Sequence, residues 1–407
     1  MKFRKTAALL ISALLLGGNA PAYAADTEAA GPSVLTVGYT GIEAYVRSSN
    51  QTIRANAKTL KALRNNDLAQ QKIDDIDSSR SSLSGVSSML QQADAAVRAM
   101  PSSAEIQAID ASLLGSIASI SAISAVLGSE EDQLSTDDDK VDETELEMNE
   151  AADQIVIAAQ NLFITYNALQ TQRTLLTEQQ NVLTDALKAA RTKAGLGLMT
   201  QTDLENRQQD LTAVSDSLSA LVSQMQTVKD NLRVLLGYPQ DYDLDISFMP
   251  APDLAAIVKM NHDADYSTAL GANWTLREKQ KEIDIADENY DSDLDSTVDN
   301  RNAAELTYDG AKNTFDALFR QVYNGVGDKQ SRLKSAQAAY DAKVRTLDAV
   351  KQENALGVAS PLDVENAQLD ADSAGAARDQ AQTALFTAQE QYRWALLGAL
   401  NSNTIKS

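Results

Sequence analysis

The sequence predicts an all-α protein built of long antiparallel coiled-coil helical hairpins in two pseudo-repeats. Three observations carry this. First, a seam of Leu204, Arg207, Leu211, Val214, Leu218, Leu221, Met225, Val228, Leu232 and Leu235 advances in steps of three and four, the spacing that lays one helix along another. Second, a turn-and-helix stretch occurs twice: GLMTQTDLEN from Gly197 is matched by GVASPLDVEN from Gly357, 160 residues later. Internal duplication of this kind sets the architecture. Third, 407 residues contain only 7 Pro and no Cys, and the Ala, Leu and Gln that dominate instead favour long helices.

Residues 1–25 read as a secretory signal peptide, with Lys2, Arg4 and Lys5 as the basic segment, Ala7 to Leu16 as the apolar one, and Ala22–Tyr23–Ala24 at the cleavage site. The chain is therefore expected to be exported. Removing that segment leaves 32 basic against 57 acidic residues, a formal charge of −25. So acidic a surface lacks the positive footprint that nucleic acid requires. The absence of Cys excludes disulfides, thiolate metal sites, cysteine nucleophiles and a lipidated N-terminal cysteine.

Residues 26–237 form the first repeat. A flexible leader, 26–36, precedes a helix from Val37 to about Gln71, marked by Ile42, Tyr45, Val46, Ile53, Leu60 and Leu63. A Ser/Ala-rich and acidic insertion occupies about 80–142. Within it, Pro101 interrupts a helix, Ser102 or Ser103 caps the next piece, and Ile106 to Leu127 continue it. Ala111–Ser129 is uncharged but carries six serines and two glycines, the composition of a packed helix rather than a membrane span. Ser129 to Glu150 holds eleven acids opposed by Lys140 alone, a solvated loop and helix start. The longest helix is expected from about Glu143 to Lys193, with Met148, Ile155, Leu162, Leu169, Leu176 and Leu183 recurring every seven residues. Gly195 and Gly197 then stop the helix, Thr200 or Thr202 caps the next, and Asp203 and Glu205 in its first turn suit the helix dipole.

Residues 238–254 are a linker with three prolines, YPQDYDLDISFMPAP over 238–252. Residues 255–401 form the second repeat. Helix is expected from Ala255 to Gln321, with Val322–Asp328 as a break or short interruption, then from Gln330 to Glu353. The last helix, Pro361 to Leu400, has a small-residue seam, Val364, Ala367, Ala371, Ala374, Arg378, Ala381, Leu385, Ala388, Tyr392 and Ala395, that allows close helix approach. Residues 402–407 are a tail. Two further matches frame the repeats. Asn50–Gln51–Thr52–Ile53–Arg54 parallels Asn273–Trp274–Thr275–Leu276–Arg277, and Leu235–Leu236–Gly237 parallels Leu396–Leu397–Gly398.

A Gly-(hydrophobic)-x-(Ser/Thr)-x-x-Asp-(hydrophobic) turn between two long helices, used twice and followed by Leu-Leu-Gly, resembles the TolC family of outer-membrane efflux proteins. The resemblance implies α-barrel helices, a homotrimer, and a place in the cell envelope at the outer membrane or in the periplasm, or on the extracytoplasmic surface of a cell without an outer membrane. It also implies passive conduction of small molecules delivered by an inner-membrane pump and an adaptor protein, with no cofactor. Gly197, Leu198, Thr200, Asp203, Gly357, Val358, Ser360 and Asp363 would then form the helical tips that meet the adaptor.

The sequence departs from the family in one respect. TolC-like proteins insert strands between the arms of each half to build a membrane barrel, yet no run of about ten alternating apolar and polar residues occurs here. The interval from Asn273 to Gly357 is 84 residues, all plausibly helical, against 147 from Asn50 to Gly197. The expectation is TolC-like helical elements without a clear β-barrel. The alternative is an exported coiled-coil structural or interaction protein that has lost the channel. Catalysis has no constellation to rest on: His262 is the only histidine, a surface residue with Asp263 and Asp265 beside it, and no phosphate loop or Ser/His/Asp set is present.

Overall fold

The computed structural model describes residues 34–64, 114 and 138–401. The segment expected as a signal peptide, nearly all of the expected insertion and the expected tail lie outside them. The elements are β1 (Val34–Val37), α1 (Tyr39–Ser49), α2 (Gln51–Arg64), α3 (Asp138–Gly195), α4 (Gln201–Leu235), β2 (Asp243–Ile246), α5 (Leu254–Lys259), α6 (His262–Ala272), α7 (Trp274–Glu288), α8 (Asp295–Ala355) and α9 (Pro361–Leu396). The all-α architecture of paired long helices is as expected. Antiparallel pairing of α3 with α4 is fixed by side chains along the seam: Gln180 Nε2 donates to Ser215 Oγ at 2.7 Å and an Arg191 amine to Gln208 Oε1 at 2.9 Å. At a rise of about 1.5 Å per residue, α3 extends on the order of 85 Å.

Residues 151–165 of α3 are buried on every side. They match a run, AADQIVIAAQNLFIT, that is apolar around most of the helix, and such a helix sits in a core. One core gathers this run with Leu221, Met225, Val228 and Leu232 of α4, Ile42 and Val46 of α1, and Phe386 and Trp394 of α9. A second gathers Phe315, Phe319 and Val322 of α8 with Leu276 of α7 and Leu385 and Tyr392 of α9. Helix α9 thus serves both repeats, with Trp394 in one core and Tyr392 in the other. Toward the tip, the α4 seam is only half-buried at Leu211, Val214 and Leu218.

Several local expectations are corrected. Val34–Thr36, placed in a flexible leader, and Val37, placed at the start of a helix, form a strand paired in parallel with Asp243–Ile246 inside the linker, Val34 opposite Asp243 and Val37 opposite Ile246. Four residues each are too short to show alternation in a sequence. The helix expected to run on from Val37 breaks at Asn50, which takes an extended conformation (φ −60°, ψ 124°). The helix expected from Ala255 to Gln321 breaks at Met260–Asn261 and at Asn273, where Asn261 and Asn273 cap new helices, and again at 289–294, where Leu294 precedes α8 without a side-chain cap. Val322–Asp328 is continuous helix despite two glycines, because Val322 and Val326 are buried in the second core. Among the described residues the longest helix is consequently α8, with 61 residues, and not α3, with 58.

Between α7 and α8 the chain reverses directly over 289–294. The turn is tied by Thr297 Oγ1 donating to the Asp291 carbonyl at 2.7 Å, by the Asp291 amide donating back to Thr297 Oγ1 at 3.0 Å, and by an Arg301–Asp287 ion pair at 2.5 Å. The second repeat therefore has a helical reversal where barrel strands would be inserted. No helix among the described residues is long and apolar enough to cross a membrane.

Candidate functional site: helical tips and the inter-repeat seam

The two tips are built alike. At the first, Gly197 adopts φ +74°, its amide bonds to the Ala194 carbonyl at 2.9 Å, and the Leu198 amide bonds to the Lys193 carbonyl at 2.8 Å. At the second, Gly357 adopts φ +72°, with its amide on Asn354 at 2.9 Å and the Val358 amide on Glu353 at 2.9 Å. This six-to-one and five-to-two pattern around a left-handed glycine satisfies the last carbonyls of each helix. Gly195, expected to share that role, is the last residue of α3, and only Gly197 takes positive φ.

The following helices are capped by the residues named from sequence. Thr200, and not Thr202, caps α4: its Oγ1 accepts from the Asp203 amide at 3.2 Å and donates to Asp203 Oδ2 at 2.6 Å. Ser360 caps α9 in a full capping box, with Pro361 at the first helical position. Hydrogen bonds from Ser360 hold the Asp363 carboxyl below the usual carboxylate range. The caps leave four apolar side chains in solvent: Leu196 is 69% exposed, Leu198 74%, Leu356 80% and Val358 75%. The structure thus gives each tip a rigid backbone with two apolar side chains directed outward.

The same glycine motif recurs at the far ends of α4 and α9, where Gly237 adopts φ +77° and Gly398 φ +100°. There it closes onto the two matching asparagines. Asn50 is fully buried, its Oδ1 accepting from the amides of Thr52 at 3.0 Å and Ile53 at 3.2 Å while Nδ2 donates to the Leu235 carbonyl at 2.8 Å. Asn273 does the same in the second repeat, accepting from the Leu276 amide at 3.1 Å and donating to the carbonyls of Gly398 at 3.2 Å and Leu400 at 2.8 Å. Each repeat is therefore clasped, asparagine against Leu-Leu-Gly. The sequence matches marked both jaws but not that they meet.

A polar network joins the repeats near the clasps. Asp153 of α3 accepts from an Arg47 amine of α1 at 2.6 Å and from Trp274 Nε1 of α7 at 2.9 Å. Burial pushes the Asp153 carboxyl above its ordinary range, and the arginine and indole hydrogen bonds only partly offset this. Arg47 also pairs with Glu43 at 3.0 Å, and Tyr39 donates to Glu390 Oε2 of α9 at 3.2 Å. Burial and the Glu390 charge both raise the Tyr39 hydroxyl. Trp394 Nε1 of α9 donates to Gln160 Oε1 of α3 at 2.8 Å. Both tryptophans therefore tie helices together by hydrogen bonds. The readable signal was Asp153, Gln154, Gln160 and Asn161 lying within an otherwise apolar helical run. His262 is half-exposed, with Nδ1 2.9 Å from Asp263 Oδ1 and its ring 5.2 Å from that of Tyr323.

No family model matches the sequence and no curated protein matches it. Solved structures do match. The outer membrane protein VceC of Vibrio cholerae is 14% identical, the match covering 89% of this chain and 97% of that one at a TM-score of 0.50. A membrane protein of Pseudomonas aeruginosa is 12% identical, the match covering 96% of this chain and 99% of that one at a TM-score of 0.52. The chain has the TolC-like fold. At these identities the likeness is one of architecture. The match takes in almost the whole length of this chain and of each of those two.

Proposed function

We propose that this chain is a TolC-like exported duct component of the cell envelope. It would assemble as a trimer and pass small molecules passively from an inner-membrane pump through an adaptor protein. The observation that carries the reading is the pair of tips. Two equivalent apolar turns, at the same end of two hairpins, form a repeated surface suited to receiving helical hairpins of a partner. In this reading Gly197 and Gly357 shape the turns, Thr200, Asp203, Ser360 and Asp363 hold them rigid, and Leu198 and Val358 make the contact. The division into a signal peptide (1–25), two repeats (26–237 and 255–401), a linker (238–254) and a tail (402–407) belongs to the same proposal.

The direct α7–α8 reversal favours a second reading, an exported coiled-coil interaction protein that kept the hairpins and lost the pore. Light scattering on the chain without residues 1–25, in buffer and then in detergent, separates the two. A trimer that requires detergent supports a membrane-inserted duct. A water-soluble trimer supports a tunnel without a membrane barrel. A water-soluble monomer overturns the duct and leaves the interaction protein.

A further inference from the structure

A cavity of about 20 Å³ lies where α1, α3 and α9 meet, its wall including Tyr39, Gln160, Asn161, Thr387, Glu390 and Trp394. That volume is sufficient for one water molecule. The polar groups on its wall are mostly engaged: Tyr39 with Glu390, Gln160 with Trp394, and Thr387 with the Thr383 carbonyl at 2.9 Å. Asn161 is the exception. The residue is 7% exposed, and its buried Nδ2 has no hydrogen-bond partner among the described protein groups. Leaving a buried amide donor unpaired is costly, which is why such groups in folded proteins find protein or water partners. Other amides, Asn56, Gln154, Gln224 and Asn231, also hold buried atoms without protein partners, but none of them lines this cavity.

We propose that this cavity binds a single ordered water that accepts from Asn161 Nδ2 and donates to the carboxylate of Glu390, the one charged acceptor on its wall. The water joins α3 of the first repeat to α9 of the second and extends the polar network already running through Tyr39. Turning the Asn161 amide over reverses one hydrogen bond and keeps the site. The proposal is independent of the duct reading, since it concerns only how the repeats are joined.

Two measurements test it on the full exported chain. A crystal structure that resolves ordered water should show density within roughly 2.7–3.2 Å of the Asn161 amide. Oxygen-17 relaxation dispersion should count one fewer long-lived internal water in Asn161→Leu than in wild type. A dry cavity, or an Asn161 amide turned onto a protein acceptor, overturns the proposal. So does an equal water count in variant and wild type. The crystal structure needs no variant, so a poorly folding Asn161→Leu leaves the test intact.

Discussion

Alanine at each of the four left-handed glycines measures what the clasps contribute. At the tips, Gly197 and Gly357 have nothing within 4 Å of an added Cβ. Alanine there meets only the left-handed backbone penalty of about 1–2 kcal/mol, offset by about 0.4–1 kcal/mol from a stiffer unfolded chain. The net is about 1 kcal/mol. At the clasps, a Cβ on Gly237 would stand 2.3 Å from the Ser49 carbonyl oxygen, and one on Gly398 2.2 Å from that of Ala272. Both neighbours are backbone atoms beside the clasp asparagine, so the jaws must part. Parting them strands a buried Asn50 or Asn273 amide, adding about 1–3 kcal/mol. The expectation is a loss of roughly 2–4 kcal/mol at Gly237 or Gly398, against about 1 at Gly197 or Gly357. Urea unfolding followed by circular dichroism reads all four. Tryptophan fluorescence gives a local readout for Gly398, because Trp274 and Trp394, the two tryptophans of the chain, lie beside that clasp. Equal destabilisation at tips and clasps would refute the reasoning.

The pair Leu198→Asp and Val358→Asp is expected to leave the unfolding free energy from urea titration within about 0.5 kcal/mol of wild type, since both side chains are exposed. If the tips dock an adaptor, the same pair should abolish capture of adaptor hairpins in a pull-down. Glu150, held by Asn401 at 3.4 Å, has its carboxyl pushed up to about 7 by burial and by the charges of Glu278 and Asp153. A raised carboxyl favours the folded state most at low pH, so stability should fall as pH rises from about 4.5 to about 7. The fall is at most about 3 kcal/mol, and Glu150→Gln should flatten it in melts taken across that range. Asp363 has the opposite sign: its depressed carboxyl contributes above the usual carboxylate range and loses that contribution as the pH falls below it. Asp363→Asn should make the second tip's amide exchange less dependent on acid. Trp274→Phe removes the indole donor to Asp153 and is expected to cost about 1–3 kcal/mol, by leaving a buried carboxylate one partner short.

What could be read from the sequence was whatever repeats locally. Heptads from Leu204 to Leu235 gave α4, and the two GxxS/T turns gave the turn positions with the first cap open between Thr200 and Thr202, because such turns are decided within about six residues. The bends at Asn50 and Asn273 were not legible. An asparagine inside a helical pattern is ordinary until a Leu-Leu-Gly end, far away in the chain, supplies carbonyls for its amide. The strands 34–37 and 243–246 escaped for the same reason, since each exists only by pairing with the other. Two glycines at Gly325 and Gly327 suggested a break that burial of Val322 and Val326 overrides. The polar network lay in plain view as polar letters within an apolar run, yet pairing Asp153 with Arg47 and Trp274 needed the tertiary fold.

The clasps also bear on how the chain could change length. Asn50 reaches across 185 residues to Leu235, and Asn273 across 125 to Gly398. Closing the longer loop adds only about 0.3 kcal/mol of chain entropy, because that term grows with the logarithm of length. The whole of the first repeat's insertion lies between its jaws. Material can therefore be gained or lost between Arg64 and Asp138 at little cost in chain entropy while the jaws hold the ends of the repeat together.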